Sequence, residues 1–150
     1  MKILALGGSG GMGRFAVETA MHFNNIEKII VADINEKSAI DFANSMNEKV
    51  SGIGLDITNT EKLKEAMRSV DIIINTVGPF FKFGPPVLEA AIECGCHYLD
   101  INDDWEPTIE MLKYNDDASS KGVTAILGMG ASPGLTNMLG AAAILSLIHI

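Results

Sequence analysis

The strongest constraint on this chain is a cluster of glycines between an apolar run and an amphipathic segment, Gly8-Ser9-Gly10-Gly11-Met12-Gly13. The apolar residues 3–6 before it are typical of a buried strand, and the spacing after it is typical of a helix. Gly8 can make the tight turn, Gly10 can let the main chain approach a diphosphate, and Gly13 can let helix and strand pack closely. The amides at the helix N-terminus favour an anion. The motif predicts a dinucleotide-binding unit, and the alternative is a glycine-rich turn without a ligand.

An acidic residue, Asp33, ends the second apolar run about twenty residues beyond the glycines, where a dinucleotide-binding unit places the acid that accepts hydrogen bonds from the adenosine ribose. Its carboxylate would repel a 2′-phosphate by about 4 kcal/mol for unit charges about 4 Å apart. The sequence therefore favours NAD over NADP. A reoriented Asp33 with Lys37 nearby would still admit the phosphate, so NAD(P) is the wider prediction.

Composition limits the class of protein. The 150 residues suffice for one ordinary domain with a real core, and 47% apolar with 20% charged residues is typical of a soluble α/β protein. A net charge of −8 argues against nucleic acid or an anionic membrane surface as a partner, because either would attract a basic patch. We expect residues 1–137 to form the NAD(P)-binding domain.

The two cysteines, Cys94 and Cys96, lie next to His97 and raise the question of a metal. A closed zinc site needs four ligands, and the sequence supplies no second pair at suitable spacing, so no metal is predicted. Reduced thiols in a cytoplasmic protein are the simpler interpretation. The chain starts directly on the first strand, which leaves no room for a signal peptide, and we expect no membrane span.

Hydrophobic periodicity predicts strands that alternate with helices. The predicted strands cover residues 3–6, 28–33, 50–55, 72–77, 97–100 and 123–127. The predicted helices cover residues 12–23, 36–46, 60–67 and 87–94, one further helix runs from about 109 to 121, and Asn35 and Asn59 are candidate caps. This alternation predicts an α/β Rossmann-type fold, doubly wound around a mostly parallel six-stranded sheet of order 3-2-1-4-5-6.

Ligands of such sheets bind beyond the carboxyl ends of the strands, so the residues that follow each strand are the candidate site. The predicted cofactor contacts are Gly8, Ser9, Gly10, Gly11, Met12, Gly13, Asp33, Ile34, Asp56, Ile57, Thr76, Val77, Gly78 and Pro79. The predicted substrate contacts are Phe80, Asp100, Asp103, Gly130 and Pro133. The acids could bind an amine, and the alternatives are a turn or cap role for Asp56 and a solvated acidic loop after the fifth strand. The glycines after the sixth strand predict a second anion site or a hinge.

Four ordered motifs resemble the cofactor domain of the saccharopine dehydrogenase family over nearly the whole chain. They are the glycine cluster, residues 75–80 with 83–87, residues 97–100 and residues 130–137. The resemblance implies cofactor roles for Gly8, Gly10, Gly13, Asp33, Thr76, Val77 and Gly78. It also implies an oxidoreductase that acts on C–N bonds of an amino-acid-like substrate through imines, with NAD(P) as the hydride carrier. It supplies no catalytic residue.

The resemblance further implies a substrate domain after this one, through which two chains often pair as a homodimer. The chain therefore looks truncated, and residues 138–150 are expected to begin a linker helix to that domain. Residues 145–150 resemble read-through sequence and are expected to be non-native, and the alternative is a genuine helix that docks against a partner domain. Two other functions stay open at this point: a non-catalytic NAD(P)-binding redox sensor, and a trans-acting protein similar to an enoyl reductase.

Overall fold

The computed structural model describes residues 1–147, and its centre is a sheet of six strands that are all parallel to their neighbours. The strands are β1 (Lys2–Leu6), β2 (Lys28–Asp33), β3 (Val50–Gly54), β4 (Ile72–Asn75), β5 (His97–Asp100) and β6 (Ala125–Ile126). Their order is β3-β2-β1-β4-β5-β6, which confirms the predicted topology. The carboxyl ends of β1 and β4 therefore lie side by side at the middle of the sheet, where the chain reverses its winding direction.

Seven helices connect the described strands or follow them. They are α1 (Gly11–Ala20), α2 (Glu36–Asn44), α3 (Thr60–Met67), α4 (Phe80–Cys94), α5 (Trp105–Leu112), α6 (Asn115–Ser120) and α7 (Leu135–Leu147). Both predicted caps are confirmed, because Oδ1 of Asn35 accepts a 3.1 Å hydrogen bond from the Ser38 amide and Oδ1 of Asn59 accepts one of 3.1 Å from the Lys62 amide. Each contact satisfies an amide that has no partner within its helix.

Side chains of β1 alternate between two separate cores, one on each face of the sheet. Leu4 and Leu6 pack in the core that α3 and α4 cover, whereas Ile3 and Ala5 pack in the core that α1 and α2 cover. A parallel strand buried on both faces reads as a continuous apolar run, which is why residues 3–6 carry no polar side chain.

The first helix is shorter than predicted. It ends at Ala20 instead of residue 23, and its buried residues are Gly13, Val17 and Ala20. This stripe has the i, i+4, i+7 spacing of a helix face that packs on a sheet. Phe15 and Phe23, which are also apolar, lie outside this stripe and are 72% and 57% exposed.

The fourth helix begins seven residues earlier than predicted, at Phe80 instead of residue 87. The sequence favoured a loop because Pro85 and Pro86 lack amide hydrogens and so remove two intrahelical hydrogen bonds. The carbonyl groups that lose these donors belong to Phe81 and Lys82, both exposed, so water can satisfy them. Burial of the apolar face of α4 then outweighs the local penalty.

The last third of the chain also differs from the prediction. The helix expected from about residue 109 to 121 is divided into α5 and α6, and α5 starts at Trp105 with Pro107 in its first turn, where a missing amide costs little. Strand β6 has two residues instead of five. Helix α7 starts at Leu135, three residues before the expected linker. Residues 148–150, half of the segment expected to be non-native, lie outside the described residues.

Candidate cofactor site

The glycine turn is packed so closely that side chains do not fit at several of its positions. Gly7 has a φ of +67° and adopts the left-handed conformation of the turn, whereas the sequence had suggested Gly8 for the tight turn. At Gly8 a Cβ would lie 2.8 Å from the carbonyl oxygen of Ala5, and at Gly13 it would collide with the carbonyl oxygen of Gly7. The predicted packing role of Gly13 is therefore confirmed, while the tight turn belongs to Gly7. The sequence signal for Gly7 was its position directly before the motif.

Helix α1 presents an open N-terminus beside this turn. Gly10 is its N-cap, and within residues 1–147 no side chain accepts a hydrogen bond from the first-turn amides. Gly10, Gly11 and Met12 are exposed, and a Cβ placed on Gly11 would meet no described atom within 4 Å. Amides without acceptors next to open space form an anion site, and the geometry suits a diphosphate.

Asp33 lies at the end of β2, half-buried, and its carboxylate is fixed by two donors. Its Oδ2 accepts a 2.6 Å hydrogen bond from the Ser9 hydroxyl, and its Oδ1 accepts one of 3.1 Å from the Asn35 amide. Arg14 donates from Nε to the Ser9 carbonyl oxygen at 2.7 Å. Arg14 was not among the residues predicted from the sequence, although its position in the first turn of α1 was a signal that it could contact the glycine turn. Ile34, the next residue along, is exposed.

Asp56 and Ile57 follow β3, the strand next to β2. Oδ1 of Asp56 accepts hydrogen bonds from the Thr58 amide at 2.9 Å and the Thr58 hydroxyl at 2.7 Å, and these contacts lower the pKa of Asp56. This is the turn geometry that was the alternative to a cofactor contact. Because the carboxylate is exposed, its second oxygen is open to solvent. Ile57 is half-buried against the core.

The loop after β4, residues 76–79, is tied to the glycine turn. The Thr76 hydroxyl lies 2.8 Å from the Leu6 carbonyl oxygen and 3.2 Å from that of Gly7, and it donates to this pair. The predicted contact residues Thr76 and Val77 are half-buried, whereas Gly78 and Pro79 are exposed. Phe80, predicted to contact substrate, instead has a side chain only 7% exposed that packs as the first core residue of α4.

The other predicted substrate residues follow β5 and β6. Asp100 is 1% exposed, so its carboxylate lies inside the protein rather than in an amine-binding surface, and burial raises its pKa. Asp103 is exposed. Gly130 and Pro133 are half-buried in a turn where the Gly130 carbonyl oxygen accepts a hydrogen bond from the Leu135 amide at 3.0 Å.

The two cysteines lie within the packed part of the protein, Cys94 half-buried and Cys96 buried. The Cys96 thiol lies 3.2 Å from the Met67 carbonyl oxygen and 3.5 Å from that of Val70, and burial raises its pKa to about 11. Nδ1 of His97 accepts a hydrogen bond from the Thr124 amide at 3.0 Å. Across the described part of the chain, no group of three His, Cys, Asp or Glu side chains is placed to hold a metal ion.

A cavity of about 550 Å³ lies elsewhere. It is lined by α4, α5, α6 and β6, including Leu88, Met111 and Ile126. The exposed amides after the glycine turn and the fixed carboxylate of Asp33 instead make the carboxyl end of β1 the candidate site.

Comparison with known proteins gives relatives that are much longer than this chain. A "Lipid droplet localized protein" of Caenorhabditis elegans is 27% identical and covers 85% of this chain and 32% of its own length. A "Probable mitochondrial saccharopine dehydrogenase-like oxidoreductase" of Arabidopsis thaliana is also 27% identical, over 85% of this chain and 31% of its own length. The chain thus spans about a third of these two relatives.

The names of these relatives correct one prediction. One is named for the lipid droplet and the other for the mitochondrion, so the expectation of a cytoplasmic protein is wrong. Separately, between residues 1 and 147 no helix is long and apolar enough to cross a membrane.

A solved structure shows the same fold. Apo saccharopine dehydrogenase (L-Glu forming) from Saccharomyces cerevisiae superposes with a TM-score of 0.83 at 20% identity, over 99% of this chain and 31% of that one. The family model described as "Saccharopine dehydrogenase NADP binding domain" matches residues 3–126, which include the glycine turn, Asp33 and the loop after β4. This chain belongs to the saccharopine dehydrogenase family, and it is an NAD(P)-binding domain of that family.

Proposed function

We propose that this chain holds NAD(P) for an oxidoreductase that acts on C–N bonds of an amino-acid-like substrate by hydride transfer. The single observation that carries the proposal is the open N-terminus of α1 beside the fixed carboxylate of Asp33. Membership of the family supports it. The cofactor supplies the hydride chemistry when bound, and the chain supplies binding and orientation.

Different residues contact different parts of the proposed cofactor. The amides of Gly11 and Met12 bind the diphosphate, and Asp33 accepts hydrogen bonds from the adenosine ribose. Residues 56–57 border the adenine side, while residues 76–79 border the nicotinamide side. The full set of proposed contacts is Gly8, Ser9, Gly10, Gly11, Met12, Gly13, Asp33, Ile34, Asp56, Ile57, Thr76, Val77, Gly78 and Pro79.

The preference for NAD over NADP is part of the proposal. Two donors hold the Asp33 carboxylate in place, so it cannot turn away freely from a 2′-phosphate. Lys37, the cation that could offset the repulsion, pairs instead with Asp41, with Nζ and Oδ2 3.3 Å apart. These contacts support discrimination by charge, although the family model carries NADP in its description.

We also propose that residues 1–137 are the cofactor domain and that residues 138–150 lead into a substrate domain. In α7 as described, residues 135–147, no side chain is buried although most are apolar. An exposed apolar helix is typical of a surface that another element covers. The small-molecule substrate would then be bound largely outside this chain, with Asp103, Gly130 and Pro133 as the contacts from this side. Pairing of two chains through that domain belongs to the same proposal.

Calorimetric titration of the 150-residue chain with NAD, NADH, NADP and NADPH at one salt concentration tests the cofactor role. We expect binding, with NAD and NADH tighter than the phosphorylated pair. A cooperative thermal melt without binding of any of the four would overturn the proposal. We expect no amine-dependent reduction of NAD by this chain alone, and turnover by a longer form that carries the substrate domain. A longer form that binds cofactor without turnover would favour the redox sensor.

A further inference from the structure

Four polar residues at the carboxyl ends of β4 and β5 are buried together. Asn75, Tyr98 and Asn102 are fully buried, and Asp100 is 1% exposed. Asn75 and Asp100 are register partners on the neighbouring strands. We call these four residues the buried polar chain. Burial of a carboxylate costs free energy of folding unless hydrogen bonds compensate it. The contacts of Asp100 therefore indicate what this side chain does.

One end of the buried polar chain fixes the loop after β6, residues 128–134. Oδ1 of Asp100 accepts a 2.7 Å hydrogen bond from the Gly128 amide and one of 3.1 Å from the Asn102 amide. The main-chain oxygen of Asp100 accepts a third, of 2.7 Å, from the Met129 amide. Gly128 has a φ of +72°, and a Cβ there would lie 2.9 Å from Cγ of Pro133. The loop therefore meets Asp100 in one close-fitted conformation.

The other end of the buried polar chain fixes the loop after β4, residues 76–79. Oδ1 of Asn75 accepts a 3.0 Å hydrogen bond from the Val77 amide, and Nδ2 of Asn75 donates one of 3.0 Å to the Tyr98 hydroxyl. Oδ2 of Asp100 has no hydrogen-bond partner within the described residues. Because Asn75 and Asp100 are register partners on β4 and β5, the two loops are held side by side at the carboxyl ends of these strands.

We propose that Asp100 is a positioning residue that aligns the loops 76–79 and 128–134 with each other, so that both border the nicotinamide half of the cofactor. This inference rests on the proposed function. Asp100 acts through the two loops and does not touch the cofactor or the substrate. It also replaces the earlier expectation that Asp100 binds a substrate amine.

The test separates the two halves of the cofactor. NADH and ADP-ribose share the diphosphate and the adenosine, and only NADH carries the nicotinamide ring. Asp100→Ala removes the acceptor of the Gly128 and Asn102 amides, and we expect it to weaken NADH binding about tenfold while ADP-ribose binding stays within about twofold of the unsubstituted chain. Asp100→Asn keeps an oxygen for both amides, so we expect NADH binding within about threefold of the unsubstituted chain.

A control is available at the amino ends of the central strands β1 and β4. Oδ2 of Asp71 accepts a 2.7 Å hydrogen bond from the Lys2 amide, so Asp71→Ala makes the same chemical change far from both loops. We expect it to leave both affinities unchanged. If Asp100→Ala does not fold, Tyr98→Phe removes the hydroxyl that Asn75 contacts and should weaken NADH binding alone.

The outcomes are distinct. Equal losses for NADH and ADP-ribose, or no loss for either, would overturn the positioning role. Failure of the unsubstituted, folded chain to bind either compound would instead overturn the proposed cofactor role.

Discussion

The Ser9 hydroxyl donates a 2.6 Å hydrogen bond to Oδ2 of Asp33 and so joins the glycine turn to the end of β2. The two residues are 24 positions apart in sequence, and both lie in the part of the chain predicted to bind the cofactor. The contact orients the carboxylate before any ligand arrives. Preorganisation of this kind lowers the cost of ordering a site when the ligand binds.

Asp33→Ala should weaken NADH binding about tenfold and leave NADPH binding unchanged or tighter. The substitution removes the acceptor for the ribose hydroxyls and the repulsion of a 2′-phosphate at the same time. Calorimetric titration with both cofactors measures the change. Asp71→Ala, which removes the same charge at the start of β4, away from the proposed site, is the control and should alter neither affinity. Equal losses for NADH and NADPH after Asp33→Ala would refute the ribose role.

Gly13→Ala should destabilise the folded chain by about 1–3 kcal/mol, because the added Cβ collides with the Gly7 carbonyl oxygen and forces α1 away from β1. Gly11→Ala is the matched control in the same turn, where a Cβ meets no described atom within 4 Å. We expect it to be neutral or stabilising by up to about 1 kcal/mol. Urea unfolding of both variants gives the comparison, and similar free energies of unfolding would contradict the steric account.

Asp100→Asn should raise the melting temperature at pH 7 by a few degrees. Burial raises the pKa of Asp100 in the folded state above its ordinary value, so its contribution to stability is full below the unfolded pKa and is lost as the pH rises through the folded pKa. Asparagine has no charge to bury, so the advantage of the variant should shrink as the pH falls below about 4. Thermal melts from pH 3 to 8 measure it. A constant difference across that range would exclude the titration of Asp100 as the cause.

Alkylation of Cys96 should be at least about a hundredfold slower in the folded chain at pH 7.5 than in the unfolded chain. Only the thiolate reacts, and burial raises the pKa of Cys96 to about 11 and also blocks access. Iodoacetamide labelling followed by mass spectrometry distinguishes it from the half-buried Cys94. Fast native labelling of Cys96 would show that its strand-end segment opens readily.

Leu139→Lys and Leu145→Lys in α7 should leave the melting temperature within about 2 °C of the unsubstituted chain and reduce its self-association. Both side chains are exposed, so they stabilise nothing within the described residues, and they add to an apolar surface. Sedimentation velocity measures the association. By contrast, Leu88→Ala removes a fully buried side chain and should cost about 2–5 kcal/mol. A large loss of stability in either α7 variant would show that α7 packs on the domain.

Much of the fold was predictable because its signals are local. The glycine cluster, the apolar runs and the caps Asn35 and Asn59 each act within a few residues, and right-handed crossovers then leave one favoured strand order. The start of α4 was not predictable from its prolines, because the burial of Val87 and Leu88 against the sheet outweighs the two lost hydrogen bonds.

The sequence by itself determined the sheet and its order, and it predicted the place where a dinucleotide would bind, because residue spacing sets which side chains share a face and which turns need glycine. Only the tertiary structure decided that Gly7 makes the turn, that Ser9 holds Asp33, and that Asp100 lies inside the protein. These three outcomes depend on atoms brought together from separate strands and loops. Whether a carboxylate faces solvent or two buried amides is decided by packing across the sheet, which no local pattern encodes.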